Sequence, residues 1–160
     1  MSRLKELYTF HFQNERRERL FLASIGFLVT FGIVRGITHL IRAGVGPFHN
    51  VTSGGLHIHH LVWGILILIL VGYVWLIEQG VGSNLIASVT AILFGVGAAL
   101  TLDEFALWLN LQDVYWTGTG RESIDAVIIF ISLLSVGIWG GPFLREVVKE
   151  LFKVFRPKAA

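Results

Sequence analysis

Residues 56–77, LHIHHLVWGILILILVGYVWLI, decide how the rest of the chain is read. After three histidines the stretch runs to Ile77 with no charged residue. A run of about 20 mostly apolar residues is long enough to cross roughly 30 Å of hydrocarbon. Three further stretches satisfy the same criterion: Leu20 to Ile41, Leu85 to Leu109 and Ile124 to Leu144. These four cover most of the 160 residues and leave no room for a soluble domain. The predicted fold class is therefore all-α: an integral membrane four-helix bundle, residues 20–144, with an interfacial amphipathic segment at 1–19 and a basic tail at 145–160.

Composition agrees. Hydrophobic residues make up 54 % and charged residues 15 %, with a mean hydropathy of +0.68. A soluble domain carries about 25 % charge. The absence of cysteine excludes disulfides, thiolate metal sites, iron–sulfur clusters and cysteine nucleophiles. Polar and mixed residues 1–19 precede the first apolar run, and no small-residue cleavage site follows it, so the start does not read as a cleavable signal.

Charge placement gives the direction. Ten of the thirteen Lys and Arg residues lie in the terminal segments, from Arg3 to Arg19 and from Arg145 to Lys158. The positive-inside rule then puts both termini in the cytoplasm, in a multi-pass protein of the plasma (inner) membrane. The basic pI of about 9.2 is thus a topology signal with some attraction for anionic membrane lipids. No basic stripe interleaved with stacking aromatics exists, which argues against nucleic acid. Trp63, Trp108, Tyr115, Trp116 and Trp139 suit an interfacial aromatic belt, and Gly95, Gly97, Ala98 and Ala99 suit close helix packing.

Ionisable residues inside a membrane are costly and mark function. Arg35 lies six residues before Ile41, and Asp103 and Glu104 lie six and five before Leu109. At 1.5 Å per residue all three fall about 8–9 Å below the outer boundary. A buried charge needs a partner, so a bridge from Arg35 to Asp103 or Glu104 is expected. His39 lies one turn above Arg35, and His57, His59 and His60 open the second span on the same side. On a regular helix His57 and His60 share a face and His59 points away. Gly54 and Gly55 just before them would allow that first turn to unwind.

Imidazole and carboxylate at one depth form a ligand set for zinc, with iron or manganese as alternatives. The candidate metal ligands are His57 and His60 with Glu104 or Asp103, joined by His39 and His59. With an open coordination position such a metal activates water, and the spare acid, Asp103 or Glu104, serves as catalytic base. Arg42 and Arg121 at the outer surface, with Arg35 deeper, are candidates for holding an anionic headgroup. The expected function is a metal-dependent hydrolase acting on a lipid or lipid-linked substrate. Two alternatives stand beside it: a divalent-metal or proton transporter, in which a homo-oligomer would line the path, and a haem-binding cytochrome with two axial histidines. The inner halves of the spans offer only small hydroxyls, which weakens transport.

The blocks GGLHIHHLVWG (54–64) and LTLDEFALWLNLQDVYW (100–116) resemble those of small uncharacterised prokaryotic four-span integral membrane proteins. The resemblance covers the second and third spans and the outer loop that follows, and it implies no activity.

Overall fold

The computed structural model describes residues 8–49, 51–77, 83–111, 121–135 and 138–139. Helix α1 runs Glu15–Ala43, 29 residues. It begins five residues before the apolar run because Asn14 caps it, accepting the N–H groups of Arg16 and Arg17 at 3.0 and 3.2 Å. Gly44 ends it with φ of 67°, donating its N–H to Ile41 O. At 1.5 Å per residue α1 is about 43 Å long, so its charged first turns extend past the hydrocarbon. Tyr8 lies beside them and donates its hydroxyl to Glu18 Oε1 at 2.6 Å. Partial burial, then the Glu18 contact, pushes the Tyr8 phenol up to about 12, which keeps it neutral.

Beyond α1 the chain makes a two-residue hairpin. β1 (Thr52–Ser53) pairs antiparallel with β2 (Leu56–His57), Thr52 opposite His57. Gly54 and Gly55 make the turn with φ of 57° and 83°, the doubly positive conformation that a primed turn requires. The second span therefore starts as a helix at His60, not at Leu56, and α2 runs His60–Ile77. Helix α3 is Asn84–Asp103, capped by Ser83. The third span, expected to be continuous to Leu109, breaks at Glu104 (φ −108°, ψ 23°) and resumes as α4, Phe105–Asn110. Helix α5 runs Arg121–Ser135. Helices α1, α2 and α3 are long and apolar enough to cross a membrane. Apart from residues 138–139, the remainder of the expected fourth span, the 145–160 tail and most of the loop before α5 lie outside the described residues.

Helix α3 is the axis of the assembly. α1 and α2 pack on it from either side and hardly touch each other, and α5 closes part of a third side. Residues two apart on a helix face nearly opposite ways, and α3 uses this with two glycines. Gly95 meets α1: an added Cβ would collide with the Ala23 carbonyl and lie 2.7 Å from Phe27 N. Gly97 meets α2, where its own Cβ would be 3.0 Å from Gly64 O. Small residues let helix backbones approach where lipid offers no hydrophobic drive to associate. Phe27, Ala98, Ala99 and Val127 form the apolar core, with the Phe130 ring tilted against Phe27 at 4.7 Å between centroids.

The polarity is inverted relative to a water-soluble bundle. Leu66, Ile69, Leu70 and Leu76 are exposed on α2, while Thr101, Asp103, Glu104 and Ser123 are buried. An apolar exterior on this scale belongs to a membrane protein.

The glycine contacts set an expectation for stability. Gly95→Ala should lower it by about 1–3 kcal/mol through overpacking. Gly32→Ala, on the same helix system but with nothing within 4 Å, should leave it at or above wild type. Thermal unfolding in detergent checks both, and equal midpoints for the two variants would refute the close crossing.

Candidate functional site

The break after Asp103 places two acids where three helices meet. Arg35, from α1, brings its Nε to 2.6 Å from Asp103 Oδ1, and its guanidinium lies 5.4 Å from the Phe31 ring centroid. The other Asp103 oxygen, Oδ2, is 3.1 Å from His60 Nε2. Glu104 Oε1 is 2.8 Å from His59 Nδ1 and 3.5 Å from His60 Nδ1. Glu104 Oε2 accepts the backbone N–H of Leu61 at 2.9 Å. Glu104 thus caps the start of α2 from another helix, where a negative charge meets unpaired N–H groups and the positive end of the helix dipole.

Burial makes these contacts consequential. Asp103 is fully buried and Glu104 nearly so, while about a fifth of the Arg35, His59 and His60 side chains remains accessible. Asp103, Glu104 and Arg35 sum to a formal charge of −1 when both imidazoles are neutral. An ionised carboxylate in a low-dielectric site demands charge or hydrogen-bond compensation: Asp103 has the Arg35 charge and His60, and Glu104 has His59 and the Leu61 amide. Carboxylates also orient imidazole rings. Glu104 fixes Nδ1 of His59 as the donor nitrogen, which makes Nε2 the proton-accepting atom of the ring.

The candidate residues divide. Arg35, His59, His60, Asp103 and Glu104 come together. His39 turns back on its own helix, its Nδ1 donating to Arg35 O at 2.7 Å. Arg42 sits exposed in the last turn of α1. His57 belongs to β2 and Arg121 opens α5, but their side chains lie outside what the structure describes. The His57–His60 pairing presumed a helix from Leu56. With the helix starting at His60, it is His59, in the non-helical residue before it, that reaches Glu104. Among the described residues no group of three or more His, Asp or Glu is arranged to hold a metal ion.

Two participants carried no sequence signal. One is the Leu61 amide. The other is Ser123, buried on α5, whose Oγ accepts the Ala106 N–H at 3.0 Å. A serine just inside the start of an apolar run reads as a helix-start residue of its own helix, not as a partner of one 17 residues back.

No protein-family model matches the chain, and no curated protein or solved structure is significantly similar to it. The residues of the centre are therefore the whole basis for a functional reading.

Removing one member of a buried pair leaves an uncompensated charge. Arg35→Met should cost about 3–5 kcal/mol, and Arg35→Met with Asp103→Leu should recover most of it. Unfolding of the single and double variants in detergent measures this. A double variant no more stable than the single would show that Arg35 is not the counter-ion of Asp103.

Proposed function

We propose that the chain is a membrane-embedded acid–base enzyme, a hydrolase acting on a lipid or lipid-linked substrate near the outer membrane face, with the His59–Glu104 dyad at its centre. The carrying observation is the 2.8 Å contact from His59 Nδ1 to a Glu104 carboxylate that is itself buried and pinned by the Leu61 amide. A carboxylate that holds one imidazole nitrogen orients the ring and stabilises the imidazolium formed when the other nitrogen takes a proton. His59 is then the general base that draws a proton from water, and Glu104 is its orienting partner. Asp103, held by Arg35, positions His60 beside them. Compared with the role expected for a spare acid, the base moves from the carboxylate to the histidine.

The setting is four spans, residues 20–144, in the plasma membrane with both termini cytoplasmic. Support comes from the apolar character of α5 and of the sequence after it, and from the clustering of Lys and Arg at the two ends. A site confined to one face also fits the hydroxyls of the described inner halves. Ser24, Ser88, Ser132 and Ser135 each donate to their own helix backbone, and Thr90 Oγ1 lies between Ile86 O and the Trp75 indole N–H. None of these lines up as a polar path, which disfavours transport.

The test uses full-length protein in lipid nanodiscs with a panel of ester, phosphodiester and polyprenyl-linked lipids. Turnover should fall by roughly two to four orders of magnitude in His59→Gln. Unchanged turnover in that variant, or none of the panel consumed by wild type, would overturn the enzymatic reading. Elemental analysis of the same samples discriminates further: about one zinc per chain, lost in His60→Ala, would give the water-activating role to a metal.

A further inference from the structure

The helix break that presents both acids to the histidines has no local cause. Residues 102–108, LDEFALW, contain neither glycine nor proline. In an unbroken helix the Ala106 N–H would donate to Leu102 O. Here it donates instead to Ser123 Oγ at 3.0 Å. Helix α4 restarts beyond the break, with Leu107 and Trp108 donating to Glu104 O at 3.1 and 3.3 Å, and no side chain of its own caps it. A side chain inserted into the backbone ladder is a recognised cause of a helix break. Ser123 is only 2 % exposed, so the bond is shielded from competing water.

The break has a geometric consequence. On a regular helix neighbouring residues diverge by about 100°. Asp103 and Glu104 would then face different neighbours, yet both reach His60, at 3.1 and 3.5 Å. Glu104 also reaches His59 and the Leu61 amide.

We infer that Ser123 is a positioning residue: by taking the Ala106 N–H it holds the α3–α4 break open and so keeps Glu104 on His59. A relay of two borrowed caps results. Ser123 of α5 supplies the start of α4, and Glu104 at the break supplies the start of α2. Without the hydroxyl, Ala106 N–H returns to Leu102 O, the helix straightens, and the Glu104 carboxylate swings off the imidazole. The effect of Ser123 on turnover rests on the acid–base reading above; its effect on the histidine ring does not.

The experiment compares wild type with Ser123→Ala, Ser123→Thr and Ser123→Cys in nanodiscs, with Ser132→Ala as a control on the same helix. The side-chain nitrogen NMR signals of His59 report its Nδ1–H bond to Glu104, and kinetics on whichever lipid wild type consumes report the outcome. Ser123→Ala should abolish the hydrogen-bonded Nδ1–H signal and lower kcat by about 10–100-fold with KM unchanged, the range for losing a residue that orients a functional histidine. Ser123→Thr, which keeps the hydroxyl, should restore both, and Ser132→Ala should alter neither. An unchanged His59 signal in Ser123→Ala, or no rescue by threonine, would overturn the proposal. If the alanine variant does not fold, Ser123→Cys decides. Sulfur is a weak acceptor of nearly the same size, so faster Ala106 amide exchange with a weakened His59 signal supports the assignment, and wild-type values for both refute it. Loss of the His59 signal in a protein that consumes no lipid would uphold the positioning role and defeat the hydrolase.

Discussion

Two adjacent carboxylates held out of water inside an apolar exterior are the constraint on which this structure turns. Charge of that kind persists only when its desolvation is offset by a counter-charge or by hydrogen bonds. One arginine serves Asp103, two imidazoles divide between the acids, and a backbone amide completes Glu104. Those partners come from α1 and from the start of α2, while the acids themselves stand at the end of α3, so compensating them also ties the three helices together near one end. The glycine crossings at Gly95 and Gly97 do the corresponding work along α3, by close approach of backbones. Packing and charge compensation thus operate on the same central helix.

Much of this was legible from residue order. Hydropathy alone marks the spans, because a bilayer imposes a length on any helix that crosses it. The shared depth of Arg35, Asp103 and Glu104 follows from the rise per residue once a direction is chosen. Helix does not continue wherever the sequence is apolar: it starts at His60 and breaks at Glu104. Gly54-Gly55 is a two-residue hairpin signal, and reading it as such would have moved the helix start past His57 and brought His59 forward. The break at Glu104 was beyond reach of any local rule, since nothing in 102–108 disfavours helix.

A ligand cage requires donors that converge on one empty point, and it tolerates their being far apart in protonation chemistry. Here donors and acceptors instead meet each other directly: imidazole on carboxylate, guanidinium on carboxylate, amide on carboxylate. Such closure favours proton exchange between neighbours and fixed ring orientation over the capture of an ion. Arg35 adds to this. A guanidinium 2.6 Å from Asp103 makes that acid a poor ligand for a second cation.

A transporter needs polar groups handed from one face to the other, whereas Ser24, Ser88 and Thr90, toward the end of the bundle away from the acids, are turned onto backbone or, for Thr90, also onto an indole. An enzyme needs polar groups only at the depth where its substrate's reacting atoms lie. Helices α1 and α2 flank α3 while hardly touching each other, and the partly accessible Arg35, His59 and His60 belong to those two sides. A lipid-linked substrate would keep its chains in the bilayer and bring only its head to that layer. In the proposed topology the acids lie one or two turns below the outer boundary by the helical rise, so the headgroup linkage of a lipid substrate would have to be drawn that far inward to meet them. The inverted distribution of polarity is what the proposed chemistry would require: an apolar surface in contact with lipid, and one compensated charge cluster within reach of a headgroup.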